Sequence, residues 1–505
     1  MSTANVPPLQ PRASVTNTPV SHPPPLNTAA KRVETSQRIH SDIGPSVTRQ
    51  ARLYAIAELA RRAGVPADFF RTWKISVGAD STVVEIPNGT RKQIHFPHVS
   101  SKLLSDLAQR TFPVARASWM DSSANAAKSI PEFVIPFVGT LEGCPPLFRR
   151  IDHDTVSCSV DLPFSTLLTL SRWEESLETP RDEHGRFVAE HSIAAQAKFL
   201  DRPIVDEYGL AFEEALRALF PSWPRSPRVL RIKVSHDVDH VGSPFNWKRF
   251  VRRTVENWSA RSSYRDLLSW FPDVEPTELT AVKDIVLLST RHGASPAVYW
   301  KASPPGPRDS GYDLRELRVR RVIDWLRNRD VELGVHPGYA TLLCPEKLRR
   351  EVNSVREVLG SGSLGGRQHY LRWRPDSWIH WENCGLSYDS SVGFAEEIGF
   401  RAGTCIPYRP WLFALNRRAE LLEIPLLVMD RTLLGYMKLS PGECLDAVKT
   451  LMNRCRTVGG VFTLLWHNDA LLDTSYREVY LTLLLNALDG LPNYDWRTAS
   501  ATELA

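Results

Sequence analysis

The sequence contains few cysteines and no arrangement of them that would hold a small fold together. Its seven cysteines, scattered from Cys144 to Cys455, are odd in number and include no Cys-x-x-Cys pair. Neither a disulfide framework nor a structural zinc knuckle is therefore predicted. A long Lys/Arg block with interleaved aromatic residues is also lacking, and the formal net charge is only +5. We therefore expect no nucleic-acid-binding surface.

Long apolar runs are missing as well. No stretch approaches the roughly 18 consecutive apolar residues of a membrane span. The opening MSTANVPPLQPRASVTNTPV contains neither a basic leader nor an apolar segment. We therefore expect no transmembrane segment and a cytoplasmic, reduced protein. A hydrophobic content of 42% and a charged content of 24% are typical of globular proteins and permit substantial cores. An oligomeric state is not indicated.

The chain is long enough for more than one domain, since 505 residues exceed what one core usually organises. A Pro-rich opening with Ser, Thr and Asn predicts a disordered tail over residues 1–45. Apolar residues at helical spacing and short strand-like runs then predict a smaller α+β accessory domain of unknown function over residues 46–225. It ends at the proline-rich FPSWPRSPR, which cannot continue a helix. Residues 226–505 form the second predicted domain.

Strands alternate with amphipathic helices in this last part. Strand-like runs such as VLRIKVSHD, PAVYW and VELGV are followed by segments like DLRELRVRRVIDWLRNRD, whose apolar residues recur at helical spacing. This alternation predicts a parallel α/β sheet or barrel with functional groups at the carboxyl ends of the strands. The polar residues at such ends are Asp237, Asp239, His336, Asp430 and His467.

Asp237 and Asp239 form the most informative pair. In an extended chain, residues two apart project to the same side. Two carboxylates that close resist joint ionisation unless a cation lies between them or one keeps a proton. In a metal hydrolase one carboxylate binds the ion and the other takes a proton from the attacking water. An Asp-x-Asp turn that merely satisfies backbone amides is the simpler alternative, but the flanking His236 and His240 favour a functional site.

Further candidates follow later strands. His336 and His467 each follow an apolar run, where an imidazole can bind a metal ion or simply be a satisfied structural histidine. The segment GGRQHYLRWRPDSW gathers Arg367 and His369 with tryptophans. Guanidinium groups can orient a carboxylate or bind an anion, and aromatic faces suit sugar rings. Arginine stems that cover surface tryptophans are the alternative.

Six segments in order resemble the polysaccharide-deacetylase (NodB-type carbohydrate esterase) family, in particular its intracellular bacterial branch with an extra amino-terminal domain. The segments are SHDVDH, ELGVHPGY, GGRQHYLRW, YDSSVGFAEEIGFRAGTCIPYRPW, EIPLLVMD and LLWHN. Upstream, SRWEE, DEHGRF and FLDRPIVDEY resemble the accessory domain of that branch. This second resemblance implies nothing about activity.

The first resemblance implies a distorted (β/α) barrel that hydrolyses an N-acyl or O-acyl group, usually an acetamide on an amino sugar, with zinc or a similar divalent ion. By position, Asp237 corresponds to the general base and Asp239 to a metal ligand. His336 corresponds to a second ligand and Arg367 to the arginine that orients the base. His467 corresponds to the general acid that protonates the leaving amine.

One departure from the family pattern concerns the metal ligands. The family usually supplies two histidines from one His-Ser/Thr-x-x-His segment, but here Ala340 stands where the second histidine should be. His369 or His240 would then complete the ligand set. We prefer His369 as a hypothesis, because it comes from a separate loop near Arg367.

Two other functions remain compatible with the sequence. One is hydrolysis of another C–N bond, such as that of a cyclic amide, which is also within reach of this fold. A catalytically silent carbohydrate-binding or scaffolding protein of envelope-glycan assembly is the third possibility. Ala340 favours this silent protein, whereas Asp237, Asp239, Arg367 and His467 favour a hydrolase.

Overall fold

The computed structural model describes residues 47–88, 90–120, 130–242, 275–360 and 362–498. The predicted tail over residues 1–45 lies outside these residues. Within them no helix combines the length and apolar character needed to cross a bilayer.

The N-terminal region is built around a mixed five-stranded sheet in the order β1-β2-β3-β7-β6, in which only β3 and β7 run parallel. A separate antiparallel pair, β4-β5, lies beside it. Helix α1 packs against α4 and α6. The strands are β1 Lys74–Val77, β2 Ser81–Asn88, β3 Thr90–Pro97, β4 Val114–Ala117, β5 Phe133–Pro136, β6 Phe148–Arg150 and β7 Thr155–Cys158, and the helices are α1 Arg49–Arg62, α2 Ala67–Phe70, α3 Ser101–Ala108, α4 Leu162–Leu170, α5 Ile193–Gln196 and α6 Ile204–Leu219.

The C-terminal region contains an eight-stranded parallel sheet in the order β15-β12-β11-β10-β9-β8-β17-β16. Its two outer strands belong to one stretch of chain, Leu422–Met429: the first part pairs with β12 and the last part with β17. The sheet therefore curves into a barrel-like arrangement, and the α/β architecture predicted from the alternating pattern is confirmed. The strands are β8 Arg231–Asp237, β9 Ala297–Trp300, β10 Glu332–Val335, β11 Gly365–Gly366, β12 Tyr388–Asp389, β15 Leu422–Glu423, β16 Val428–Met429 and β17 Val461–Leu465, with a separate hairpin of β13 Trp411–Leu412 and β14 Arg417–Arg418.

Helices connect most of these strands. Helix α8 confirms the predicted amphipathic helix, because Val319, Val322, Ile323 and Leu326, which recur at helical spacing, are all buried. Helix α11 starts with a capping box between Ser440 and Glu443, and its last residue is followed by Gly459 in a left-handed conformation (φ 74°) that glycine adopts without strain. The helices are α7 Thr277–Arg291, α8 Leu317–Arg327, α9 Pro345–Leu359, α10 Ser377–Asn383, α11 Pro441–Val458 and α12 Thr474–Leu483.

A buried polar network lies among the barrel strands. The ammonium group of Lys233 on β8 lies 2.8 Å from a carboxylate oxygen of Glu332 on β10. Glu332 also accepts hydrogen bonds from Tyr388 and from the Trp496 indole. A buried charge needs such partners, because its desolvation is otherwise unfavourable.

The N- and C-terminal regions share one continuous apolar core. Buried polar contacts also join them: Asp206 on α6 accepts hydrogen bonds from the Thr404 hydroxyl (2.6 Å) and from the Cys405 amide (2.8 Å). The predicted boundary between residues 225 and 226 remains a prediction.

Candidate active site

A cavity of about 600 Å³ opens at the carboxyl ends of the barrel strands. Asp237 is the last residue of β8, His336 directly follows β10, and His467 follows β17. Parallel strands bring their carboxyl ends to one edge of a sheet, so residues distant in sequence meet there. The predicted residues that line the cavity are Asp237, Asp239, His336, His369 and His467, and Arg367 lies behind Asp237.

Asp239, His336 and His369 form a candidate metal site. Each offers one ligand atom, and these atoms lie within 4.8 Å of one another. The Oδ1 atom of Asp239 is 3.1 Å from Nε2 of His336 and 3.2 Å from Nε2 of His369. The opposite ring nitrogens are engaged: Nδ1 of His336 lies 2.7 Å from the Arg367 carbonyl oxygen, and Nδ1 of His369 lies 2.8 Å from Asp309. Such outer contacts typically orient metal-binding imidazoles.

The other histidines of the HDVDH segment lie outside this cluster. His240 lines the same cavity but does not belong to the three-residue cluster found among the described residues. His236 is fully buried between the Trp466 carbonyl oxygen (2.8 Å) and the Ser289 hydroxyl (3.1 Å), and burial lowers its pKa to about 4. His236 is therefore a structural residue. Ala340, where a second ligand histidine was expected, is exposed and does not line the cavity.

Asp237 is held rigidly by Arg367. An Nη atom of Arg367 donates to Oδ1 of Asp237 at 2.9 Å, while its other guanidinium nitrogens donate to the carbonyl oxygen and hydroxyl of Ser390. The second carboxylate oxygen of Asp237 lies 3.6 Å from Nδ1 of His336. Asp237 thus has one oxygen fixed by a cation and one close to the imidazole of His336.

His467 is paired with Asp430, which follows β16. Nδ1 of His467 lies 2.7 Å from Oδ1 of Asp430, and its backbone amide donates to Oδ2 at 2.8 Å. Burial opposes protonation of His467, but Asp430 outweighs it and raises the pKa of His467 to about 9. Nε2 of His467 lies 3.7 Å from Oδ2 of Asp239. The site therefore combines an imidazole that is cationic at neutral pH, that of His467, with a fixed carboxylate, that of Asp237.

Two residues of the site were missed in the sequence. The ammonium group of Lys301, just after β9, lies 3.4 Å from Oδ1 of Asp239 and 3.4 Å from Nε2 of His369. Burial alone would raise the pKa of Asp239, but His369 and Lys301 hold it well below its usual range. Asp309, which orients His369, lies in a loop with no recognisable pattern. Lys301, by contrast, ends the strand-like run PAVYWK, so its position at a strand end could have indicated it.

Comparisons with known proteins find one family model and several distantly similar solved structures. Residues 50–221 match a family model described as a family of unknown function, DUF7033. No curated protein matches the chain. Solved structures resemble about half of the chain, and only distantly.

Proteins described as polysaccharide deacetylases and an allantoinase are among these solved structures. A protein described as a polysaccharide deacetylase from Mycobacterium smegmatis is 14% identical, with 56% of this chain and 93% of that chain covered and a TM-score of 0.36. Another, described as a polysaccharide deacetylase involved in O-antigen biosynthesis from Bordetella bronchiseptica, is 16% identical, with 51% and 81% covered and a TM-score of 0.29. An allantoinase is 12% identical, with 55% and 93% covered and a TM-score of 0.35. Because these scores are low, these structures support no assignment of roles to residues of this chain.

Proposed function

We propose that this protein is a metal-dependent hydrolase of the polysaccharide-deacetylase type, which removes an acyl group, in particular an N-acetyl group, from a sugar or glycan intermediate. One observation carries the proposal: a single cavity holds the cluster of Asp239, His336 and His369 between an arginine-bound carboxylate, Asp237, and an aspartate-bound imidazole, His467. A base, an acid and a cation site are the three components that metal-dependent hydrolysis of an amide uses.

The cluster fits zinc or a similar divalent ion. One carboxylate and two imidazoles are a common zinc ligand set, and three protein ligands leave a position for water or substrate. Burial lowers the pKa of His336, so its imidazole is neutral and able to bind a metal at neutral pH. A divalent ion bound by these residues would polarise the scissile carbonyl group and lower the pKa of the attacking water.

Asp237 suits the role of general base. Its Oδ1 atom is occupied by Arg367, which leaves Oδ2 to accept a proton from water. The guanidinium group is itself fixed by Ser390, so Asp237 cannot rotate away without breaking several buried hydrogen bonds. Arg367 therefore acts by positioning the base.

His467 suits the role of general acid. Departure of an amine requires a proton. His467 can donate one while its ring is cationic, which is the case below a pH of about 9. Because Asp430 binds Nδ1, the proton available for transfer is on Nε2, which points toward Asp239. Base and acid thus come from the carboxyl ends of two neighbouring strands, β8 and β17, and each lies next to a residue of the candidate metal site.

The cavity also suits a carbohydrate. Tyr370, Tyr436 and Tyr476 contribute aromatic surface to its lining. Aromatic faces pack against the apolar faces of sugar rings, and a volume of about 600 Å³ accommodates a small ligand. This surface favours an amino sugar as substrate over a small cyclic amide.

Metal analysis combined with an acetate-release assay tests the proposal. We expect the purified protein to bind one equivalent of zinc or cobalt and to release acetate from N-acetylated amino sugars or oligosaccharides. Asp239→Ala should lose the ion, whereas Asp237→Asn should keep the ion and lose turnover by about 10²-fold or more. His240→Ala serves as the matched histidine control for His369→Ala, and only the latter should lose the ion.

The same measurements separate the alternatives. A protein that binds no ion after zinc or cobalt loading would be the silent carbohydrate-binding or scaffolding protein. Ion binding with turnover of a cyclic amide such as allantoin, but not of acetylated sugars, would indicate the other C–N hydrolase.

A further inference from the structure

A short loop of the N-terminal region reaches the edge of the candidate active site. This loop, Asp182–Phe187, has the sequence DEHGRF. Oδ1 of Asp182 accepts hydrogen bonds from the amides of His184 (2.9 Å) and Arg186 (2.8 Å), and Gly185 between them adopts a φ of 72°. A side chain at Gly185 would be strained in this conformation, so the sequence favours one compact turn.

The loop contacts the turn that carries His369. Arg186 donates through Nη1 to the carbonyl oxygen of Tyr370 at 3.2 Å. In the opposite direction, Nε of Arg372 donates to the carbonyl oxygen of His184 at 2.6 Å. The rings of His184 and Tyr370 lie 4.8 Å apart. Two hydrogen bonds and a ring contact therefore join the loop to residues 369–372.

This turn adopts a conformation that requires support from outside. Tyr370 (φ 62°) and Leu371 (φ 53°) are consecutive left-handed residues, although neither is glycine. Bulky residues adopt this region only when surrounding contacts enforce it. His369 comes directly before them. A change in the backbone conformation of Tyr370 would therefore move the imidazole of His369 relative to Asp239.

Arg186 is itself well fixed and lines the cavity. Its Nε atom donates to Oδ2 of Asp182 at 2.7 Å and an Nη atom donates to the Tyr436 hydroxyl at 3.3 Å. The side chain is buried and belongs to the lining of the same cavity as the candidate metal site. The N-terminal region therefore contributes one wall of that cavity.

We infer that the DEHGRF loop of the N-terminal region is a functional part of the candidate metal site and that Arg186 is a positioning residue for His369. The inference rests on the proposed function, since His369 is taken as a metal ligand. It also gives a role to part of the DUF7033 match: a region whose family has no stated function completes the site of its neighbour.

The test compares Co²⁺ affinity of the full-length wild type and the Arg186→Ala variant, by calorimetric titration and the visible absorption of bound Co²⁺. Loss of a side chain that hydrogen-bonds directly to a metal ligand typically lowers affinity by about 10- to 100-fold, and the lower end of this range applies to Arg186, which acts on His369 through Tyr370. We expect Arg186→Ala to bind Co²⁺ about tenfold more weakly, with an altered absorption spectrum. Arg186→Lys, which keeps a donor for the Tyr370 carbonyl oxygen, should lose less.

Arg202→Ala is the matched control. Arg202 is also a buried arginine of the N-terminal region and binds a carboxylate, Glu207, and a carbonyl oxygen, that of Glu132. It does not line the cavity. Both alanine variants should unfold at lower temperature, but only Arg186→Ala should weaken Co²⁺ binding. A purely structural role of Arg186 would give equal Co²⁺ affinities for the two alanine variants, and that result would overturn the inference.

Hydrogen exchange of the metal-free proteins separates this inference from the proposed function. Arg186→Ala should accelerate exchange of the amides of residues 369–372 relative to Arg202→Ala, because the turn loses its outside support. Unchanged exchange would overturn the inference. If the wild type binds no Co²⁺, the proposed function fails, and faster exchange would then still support a positioning role of the loop.

Discussion

At the level of single residues, the pairing of His467 with Asp430 predicts the alkaline limb of the pH profile. His467 donates a proton only while it is protonated, and its raised pKa of about 9 keeps it so at neutral pH. We expect the rate of acetate release to fall as the pH rises through about 9. Asp430→Asn removes the main cause of the raised pKa, so the limb should move to lower pH by at least about one unit.

A control for this prediction is Asp446→Asn, which neutralises an exposed carboxylate on α11. Its pH profile should match that of the wild type. An alkaline limb that stays in place in Asp430→Asn would remove His467 from the role of general acid.

Lys301 provides a second prediction at this scale. Its ammonium group lies 3.4 Å from atoms of two of the three candidate metal ligands, so a divalent ion has to enter next to a positive charge. We expect Lys301→Met, which preserves most of the side-chain volume, to bind Co²⁺ about tenfold more tightly than the wild type. Weaker binding by the variant would instead indicate that Lys301 holds Asp239 in its ligand geometry.

The sequence indicated some of these residues and not others. Asp237, Asp239, His336 and His467 follow apolar runs of strand length, and a parallel sheet brings such positions together. Asp309 lies in an irregular loop, and only the fold brings it to 2.8 Å from His369. Contacts of this kind depend on loop conformation, which residue periodicity does not encode.

At the level of elements, β12 and β15 place two buried acids side by side. Asp389 and Glu423 are register partners on these neighbouring parallel strands. Burial raises the pKa of Asp389 to about 7, and burial together with the nearby Asp389 carboxyl raises the pKa of Glu423 as well. Two carboxyl groups this close retain a proton between them rather than ionise together.

This pair predicts a pH-dependent stability. Because the folded-state pKa of Asp389 is raised, its contribution is complete below its ordinary pKa of 3.8 and is lost as the pH rises through about 7. Asp389→Asn removes the titration. We therefore expect the free energy of unfolding of the variant, relative to that of the wild type, to increase by on the order of 2 kcal/mol between pH 5 and pH 8. Urea denaturation at several pH values measures this difference.

The exposed-carboxylate variant Asp446→Asn again provides the comparison and should follow the wild type across the same pH range. A difference between Asp389→Asn and the wild type that does not change with pH would contradict the retained proton. The pair was invisible in the sequence, since Tyr388–Asp389 and Leu422–Glu423 read as separate short segments. Their pairing depends on how the barrel closes through Leu422–Met429.

At the level of the whole molecule, the sequence suggested two domains joined at a proline-rich linker, but packing connects the two regions closely. Arg401 of the C-terminal region donates to Glu175 of the N-terminal region at 2.9 Å, and both side chains are buried. The apolar core continues across the same boundary. Composition marks a linker through its prolines, whereas the extent of contact between regions depends on which faces meet in three dimensions.

This packing predicts that the two regions unfold together. Arg401→Met leaves part of the buried charge of Glu175 uncompensated, and breaking a buried ion pair in this way costs about 3–5 kcal/mol. We expect tryptophan fluorescence and far-UV circular dichroism of the variant to report one common unfolding transition, shifted to lower denaturant concentration. The control Arg349→Met removes an exposed ion pair on α9 and should change the free energy of unfolding by about 0.5 kcal/mol or less. Two separate transitions, with only one shifted by Arg401→Met, would mean that the regions are energetically independent. The DEHGRF loop would then have to hold His369 in place without the support of a common core, so cooperative unfolding and a metal site completed by the N-terminal region depend on the same shared interface.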